Sequence, residues 1–324
     1  MVFQGERQNV MTARFMDWKS DVGTNLWILY QGVKRSGNAG KNSTQWTSKY
    51  GSVIATGYDI ATTDGLNEKG LNANLLWLVE SEYPQLEQTK KPTLSISLWA
   101  QYMLDNFATM AESVQFLQKE PFAVISDQVP GEQGLATLHL SLSDATGDSS
   151  IIEYIAGKQV IHHDASYQVM TNSPIFDQQL ALNQYWKQIG GTTFLPGTNR
   201  AADRFARASF YIHAIPKNAE TQFSLASVFS VIRNVPVPFG LNTEEEPNIS
   251  STRWRTVADH KNLKYYFEST VSPNVFWVDL KQINFKQSQT RKLDLGKDQA
   301  IAYAGDAAAK FVETAPFSFF GVNP

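Results

Sequence analysis

Charged and amide side chains of the kinds that stabilise reacting groups lie in four short segments of this sequence. Arg14 and Asp17 fall at the end of an early strand, where side chains project from the edge of a sheet. Asn172 sits where a strand gives way to a helix, and Arg204 opens a later helix. The fourth segment, residues 67–73, is a glycine turn that leads into a strand. These segments are the candidates for a reactive site.

Each segment also has an ordinary structural explanation. Arg14 and Asp17 could form an ion pair on a strand. Asn172 could cap the helix that begins near Pro174, and Arg204 could be a solvated helix residue. Their order and chemical types, taken together, favour a shared site over separate structural roles.

Composition narrows the classes of function. The 324 residues carry a net charge of −3, and the 28 basic residues are scattered along the chain, which argues against a nucleic-acid surface. No run approaches the roughly 18 apolar residues of a membrane span. There is no cysteine, so disulfides, thiolate metal sites and a cysteine nucleophile are excluded within these residues. We expect neither a nucleic-acid partner nor a membrane partner.

Motifs for a metal or a cofactor are missing, because the sequence has no P-loop, no G-x-G-x-x-G, no H-E-x-x-H and no G-x-S-x-G. His162 and His163 are adjacent and would point to opposite faces of a strand, which is more typical of one buried and one solvated histidine than of a metal site. Asp144 and Asp148 flank a hairpin turn without the rest of a calcium loop. The sequence therefore predicts no cofactor and no metal.

The periodicity of apolar residues predicts the elements that position these segments. Apolar residues at steps of three and four predict one helix between Pro92 and Pro121 that runs from Trp99 to Leu117. Further helices are predicted at 174–189, 201–215 and 220–232. Strands are predicted at 2–3, 10–18, 25–30, 51–58, 71–78, 122–125, 138–142, 151–155, 160–162, 167–171, 252–259, 264–270 and 275–280.

This order of elements reads as sheet, helix, sheet, helices, sheet, with no regular β-α-β alternation. It predicts an α+β fold with antiparallel sheets. Two such sheets with their helices on the outside would give a four-layer sandwich in a single domain, residues 1–324.

In this order and spacing, the segments resemble those of the choloylglycine hydrolase family, which includes penicillin V acylases and conjugated bile salt hydrolases. The matching pieces, ordered over about 190 residues, are Arg14-Phe15-Met16-Asp17-Trp18, Asn67-Glu68-Lys69-Gly70-Leu71, Thr171-Asn172-Ser173-Pro174 and Asp203-Arg204-Phe205. The string at residues 74–78 and the eight tryptophans look closest to the Gram-negative penicillin V acylase branch. The resemblance implies an αββα fold of the N-terminal-nucleophile hydrolase (Ntn-hydrolase) type and a hydrolase of linear amides.

Members of this family use an amino-terminal cysteine, exposed by self-processing, as the nucleophile. Met1 matches a position about three residues into that mature chain. The resemblance therefore places the cysteine of the family ahead of Met1, so that this residue either precedes this sequence or has been lost, and without it the chain would be inactive.

The resemblance also implies a role for each polar residue. Arg14 would favour the thiolate, and Asp17 would hold the amine of the nucleophile. The Asn172 side chain and the backbone N–H of Trp77 would bind the oxyanion, and Arg204 would complete the polar network. Since positions 14 and 17 of an ideal strand face opposite sides, we predict a β-bulge or a strand end between them.

Trp18 and Trp77 are expected to line an apolar acyl pocket, unless they are ordinary core residues. Such a pocket suits the phenoxyacetyl group of penicillin V or a fatty acyl chain, including that of N-acyl homoserine lactones. A conjugated bile salt hydrolase is the alternative within the class, and a non-catalytic protein that binds acyl ligands is the alternative outside it. From the family we further expect a homotetramer, a small-molecule amide substrate and a periplasmic location.

Overall fold

Two large β-sheets with helices on their outer faces make up the computed structural model, which describes residues 1–129, 131, 134–245, 249–296 and 300–322. In chain order the strands are β1 Val2–Gln4, β2 Val10–Trp18, β3 Leu26–Leu29, β4 Lys34–Ser36, β5 Gln45–Thr47, β6 Ser52–Gly57, β7 Ala61–Asn67, β8 Asn72–Trp77, β9 Thr93–Ser95, β10 Ala123–Ile125, β11 Leu138–Ser143, β12 Ser149–Ile155, β13 Lys158–His163, β14 Ser251–Asp259, β15 Lys264–Ser269, β16 Val275–Asp279, β17 Arg291–Leu293, β18 Gly305–Asp306 and β19 Val312–Glu313.

The α-helices are α1 Trp99–Asn106, α2 Met110–Leu117, α3 Phe176–Ile189, α4 Ala201–Ala214 and α5 Thr221–Asn234. Helices α3 to α5 begin and end within two residues of the predicted bounds. Within the described ranges, no helix combines the length and the apolar character that crossing a bilayer requires.

The local patterns of the sequence do not show which strands share a sheet. The six-stranded sheet has the order β1-β2-β14-β15-β16-β18, so it joins the start of the chain to its last third. The nine-stranded sheet has the order β13-β12-β11-β8-β7-β6-β3-β17-β19 and therefore contains strands from both sides of α1 and α2. All of its pairs are antiparallel, whereas the smaller sheet includes one parallel pair, β16 with β18.

Three apolar layers separate the four layers of secondary structure. The first packs α1 and α2 on the nine-stranded sheet, around Met103 and Leu140. The second lies between the sheets, around Phe267. The third packs α4 and α5 on the outer face of the smaller sheet, around Val257 and Ile232. The predicted α+β sandwich of four layers is therefore confirmed.

The single helix predicted for residues 99–117 is wrong, because two helices with a break between them occupy this stretch. The side-chain amide of Asn67 donates to the carbonyls of Leu104, at 2.9 Å, and Phe107, at 2.8 Å, so these oxygens are taken where α1 ends. Phe107 is extended, and the Thr109 side chain then caps α2 by accepting from the N–H of Glu112. A distant side chain thus interrupts a periodic apolar stripe.

The sequence analysis predicted no strand at β4, β5, β7, β9, β17, β18 or β19, and one strand that it did predict is absent. Strand β7 was missed because its polar residues hide the alternation, although Asp64 is buried between the sheets and accepts hydrogen bonds from Thr256 and Tyr265. The strand predicted at residues 167–171 is absent, and this stretch instead runs as a loop whose Gln168 carbonyl accepts from the N–H of Val2.

Gly65 of β7 offers a test of the packing between α1 and the nine-stranded sheet. A Cβ at this position would lie 2.8 Å from Cγ2 of Ile54, 2.9 Å from Cδ1 of Leu104 and 2.9 Å from the carbonyl oxygen of Val53. Overpacking a core costs about 1–3 kcal/mol. We therefore expect Gly65→Ala to lower the free energy of unfolding by about that amount in urea denaturation. Gly197→Ala is the control, because a Cβ there would meet nothing within 4 Å; equal stability of the two variants would contradict the packing argument.

Candidate active site

A cavity of about 180 Å³ lies where the ends of β2 and β8 meet the segments that precede α3 and α4. Its lining contains every residue that the sequence analysis singled out as a site residue: Arg14, Asp17, Trp18, Trp77, Asn172 and Arg204. Three of the four segments, far apart in the chain, contribute side chains to this cavity, whereas residues 67–73 lie outside its lining and lead into β8, which ends at Trp77.

Three of the polar residues form one continuous chain of hydrogen bonds. Arg204 donates from Nη1 to Oδ2 of Asp17, at 3.0 Å, and from Nη2 to Oδ1 of Asn172, at 2.8 Å. Asn172 in turn donates from Nδ2 to the carbonyl of Trp77, at 2.8 Å. Because Arg204 holds the oxygen of the Asn172 carboxamide, the nitrogen of that carboxamide is oriented as a donor.

Arg204 is placed by the first turn of α4 and the loop in front of it. Its Nε donates to the Asn199 carbonyl at 3.0 Å. Arg207, one turn further along the helix, donates to the carbonyls of Pro196, at 2.7 Å, and Thr198, at 2.8 Å, and so fixes the same loop. The helix and its loop therefore present the Arg204 guanidinium in one orientation.

The predicted irregularity near Asp17 is present, but the extra residue belongs to the facing strand. β2 pairs with β14 through Asp17↔Thr252 and Met16↔Trp254, which leaves Arg253 as an additional residue in β14. The Thr252 hydroxyl donates to the second carboxylate oxygen of Asp17. The bulge thus supplies a partner for the carboxylate that no sequence signal identified.

Arg14 lines the same cavity without joining the hydrogen-bond chain. Its Nη1 donates to the Thr63 carbonyl at 2.6 Å, and its guanidinium carbon lies 4.9 Å from the centre of the Trp254 ring. Its buried Nε has no hydrogen-bond partner among the described residues. Arg14 therefore contributes a positive charge to the cavity floor.

Burial dominates the electrostatics of the cavity. It raises the pKa of the Asp17 carboxyl, although the Arg204 charge, the hydrogen bond from Thr252 and the Arg14 charge oppose that shift. Burial also lowers the pKa of the Arg204 guanidinium, and the charge of Asp17 opposes that shift.

The backbone N–H of Trp77 faces the same side of β8 as the Asn172 carboxamide. The next N–H, that of Leu78, donates to Thr137 at 2.8 Å and so points towards β11. Since amides alternate along a strand, Trp77 points the other way, past the last pair of the β7–β8 ladder at Asp64↔Asn74. Its N–H and the carboxamide of Asn172 can therefore approach one oxygen atom together.

An aromatic wall completes the cavity. The Trp18 and Trp77 rings lie 5.2 Å apart between centroids, with an interplanar angle of 54°. Trp18 donates from Nε1 to the Tyr58 hydroxyl at 3.1 Å. Tyr58 and Phe320 also line the cavity, and sequence reasoning missed both because they come from a β-turn and from the far end of the chain.

Carboxylates and imidazoles in the described part of the chain form no cluster of three or more that could hold a metal ion. The arrangement instead combines fixed hydrogen-bond donors, a carboxylate paired with a guanidinium group, and an aromatic wall. These are the components that acyl transfer from an amide requires beside a nucleophile.

Comparison with known proteins identifies the family. The model of the choloylglycine hydrolase family, described as linear amide C–N hydrolases, matches residues 1–294. A penicillin V acylase from Pectobacterium atrosepticum is 58% identical over 332 residues, covering 96% of this chain and 88% of that protein.

Solved structures agree with this match. A penicillin V acylase from Agrobacterium tumefaciens is 61% identical, covers 99% of both chains and superposes with a TM-score of 0.92. A conjugated bile acid hydrolase from Clostridium perfringens shares the fold, with a TM-score of 0.77 at 22% identity, covering 92% of this chain and 97% of that one. The chain therefore belongs to the choloylglycine hydrolase family of linear amide C–N hydrolases.

Proposed function

We propose that this chain is the body of a penicillin V acylase, which cleaves the amide between the phenoxyacetyl group and the β-lactam nucleus. The observation that carries the proposal is the hydrogen-bond chain from Asp17 through Arg204 and Asn172 to Trp77, which lies beside two indole rings. Relatives with 58% and 61% identity that carry this name support the same substrate.

The nucleophile in this proposal is the amino-terminal cysteine of the mature protein. Strand β1 pairs with β2 in the register Val2↔Thr12 and Phe3↔Met11, so the numbers of paired residues sum to 14. If that register continues, a residue three positions ahead of Met1 would face Met16, which lies directly beside Asp17. The resemblance to the family and the strand register thus favour the same position for the sulfur.

The proposed reaction begins when the α-amine of that cysteine takes the thiol proton and the thiolate attacks the amide carbon. Arg14 favours the thiolate by its charge, and Asp17 orients the amine. The oxyanion receives hydrogen bonds from Asn172 Nδ2 and from the Trp77 N–H. When the C–N bond breaks, the α-ammonium returns its proton to the leaving nitrogen, and water then hydrolyses the thioester to the free acid.

The aromatic wall supports an acyl group that is flat or long and apolar. Trp18 and Trp77 offer edge and face contacts at 5.2 Å from one another, a geometry that also suits an added aromatic ring. We therefore extend the proposed substrate class to N-acyl homoserine lactones, whose acyl chains are apolar. Such an activity would quench quorum sensing.

Two alternatives stay open. A conjugated bile salt hydrolase shares the fold, but at 22% identity this likeness supports the architecture and not the substrate. A protein that only binds acyl ligands would have the same cavity without turnover.

We also propose that residues 1–324 form one domain, because the smaller sheet unites β1 and β2 with β14, β15, β16 and β18. A periplasmic location remains a proposal that rests on the resemblance to the Gram-negative branch.

A substrate panel tests the proposed activity. The protein is prepared with an amino-terminal cysteine three residues ahead of Met1, and the matched control has alanine at that position. We expect the cysteine form to release product from penicillin V and from a long-chain acyl homoserine lactone, with a higher kcat/KM for both than for glycocholate. The alanine form should bind but not turn over. Preference for glycocholate would favour the bile salt alternative, and binding without turnover by the cysteine form would favour the binding protein.

The Asn172→Ala variant tests the oxyanion site. Loss of one such donor typically lowers kcat by about a hundred- to a thousandfold, and we expect this loss with a smaller change in KM. Asn42→Ala is the control, since Asn42 is exposed, outside the cavity, and donates to the carbonyls of Lys90 and Lys91. A kcat for Asn172→Ala within about threefold of the parent would exclude this role.

We propose that the chain forms homotetramers, which is supported by apolar side chains that α3 and the loop after it leave exposed. Leu182 is 44%, Tyr185 59% and Phe194 54% exposed. Replacing Leu182 and Tyr185 together by serine should shift the mass measured by light scattering towards smaller assemblies. Phe223→Ser on α5, where the side chain is 68% exposed, should leave the mass unchanged. A monomeric parent protein would refute the proposal.

A further inference from the structure

A buried carboxylate flanked by two histidines lies behind the segment that carries Asn172. Glu153 of β12 is 1% exposed and accepts from the N–H of Phe176 at 3.0 Å. Its oxygens also lie 3.4 Å from Nδ1 of His139 and 3.1 Å from Nε2 of His162. The proposed reaction uses none of these groups, so the cluster needs another explanation.

The cluster holds a fixed negative charge. Burial raises the pKa of the Glu153 carboxyl, but the hydrogen bonds and charges of His139 and His162 outweigh burial and lower it to about 2. A buried carboxylate without such partners would be strongly unfavourable. The charge of Glu153 therefore requires a charged or donating partner on each side.

His139 connects this carboxylate to the oxyanion segment. Its second ring nitrogen, Nε2, lies 2.8 Å from the carbonyl oxygen of Thr171, the residue directly before Asn172. Both nitrogens of the ring thus face acceptors, a carboxylate and a carbonyl. A neutral imidazole has a single N–H, so both contacts are hydrogen bonds only when the ring is an imidazolium.

The segment is held from the opposite side as well. Gln179 of α3 has its amide nitrogen 3.2 Å from the Thr171 hydroxyl, 3.1 Å from the Asn172 carbonyl and 3.0 Å from the Ser173 carbonyl. The peptide between Thr171 and Asn172 therefore lies between a donor from the nine-stranded sheet and a donor from a helix. If the Thr171 carbonyl turned, Asn172 would turn with it.

We propose that His139, kept charged by Glu153, is a positioning residue that fixes the Thr171–Asn172 peptide and so aims the Asn172 carboxamide at the oxyanion. This inference rests on the role proposed for Asn172. The charged and titratable groups that face the histidine pair are Glu153 from β12 and Asp177 from α3, the latter 3.5 Å from Nδ1 of His162.

Kinetics of the cysteine form test this role. A displacement of about 1 Å in a catalytic group can lower the rate about a hundredfold, so we expect His139→Leu to lower kcat by about ten- to a hundredfold with KM within about threefold. His139→Gln keeps a donor for the Thr171 carbonyl and should recover part of the loss.

His163→Gln is the matched control, because His163 neighbours His162 in sequence, whereas its Nε2 lies 2.8 Å from the surface carboxylate of Asp148. It should keep the parent kcat and the parent KM. A parental kcat in His139→Leu, or no recovery of kcat in His139→Gln, would overturn the proposal.

Two structural measurements test the positioning role of His139 without measuring turnover. Nitrogen-15 NMR of the parent should show both ring nitrogens of His139 protonated at neutral pH, and a crystal structure of His139→Leu or His139→Gln should show Asn172 moved in the leucine variant alone. A singly protonated ring or an unmoved Asn172 would refute the positioning role. An inactive parent with a doubly protonated ring would instead reject the proposed function and leave the His139 geometry intact.

Discussion

The ion pair between Arg204 and Asp17 joins the helical layer to the six-stranded sheet at the site. Its side chains are 8% and 11% exposed, so each ion has given up most of its hydration. A buried pair of this kind is stable only when further hydrogen bonds satisfy the remaining polar atoms. Asn172, Thr252 and the Asn199 carbonyl supply those bonds, and each comes from a different part of the chain. The geometry of the site is thus set by the requirement that these two charges stay paired.

This requirement explains why the site lies at a junction of layers. β2 brings Asp17 from the six-stranded sheet, α4 brings Arg204 from the helical layer, and β8 brings Trp77 from the nine-stranded sheet. Rigid elements on three sides hold these residues in place. Under the proposed function, donors preorganised in this way would act on developing charge without a reorganisation cost.

The polar network extends beneath the site and links its parts to the rest of the fold. Asp64 lies between the sheets and accepts hydrogen bonds from Thr256 and Tyr265, while His139 of β11 links Glu153 of β12 to the Thr171 carbonyl, next to Asn172. The family membership establishes the reaction class, linear amide hydrolysis. The proposed substrate rests on the aromatic wall, where Trp18 contacts both Tyr58 and Trp77, and a shared fold carries no information about that wall.

The sequence by itself determined the class of fold, the helices α3 to α5 and the residues that meet in the cavity, because helical periodicity and short motifs are local properties of the chain. Only the tertiary structure decided which strands share a sheet, since strand partners are chosen by long-range packing. It also decided the break between α1 and α2, which the Asn67 side chain imposes from another strand. The partner of Asp17 on β14 could not be predicted from the sequence either, because Thr252 lies 235 positions away and contacts Asp17 next to a bulge in that strand. Short motifs identified the candidate site residues, whereas the contacts that hold those residues in place involve positions distant in the chain.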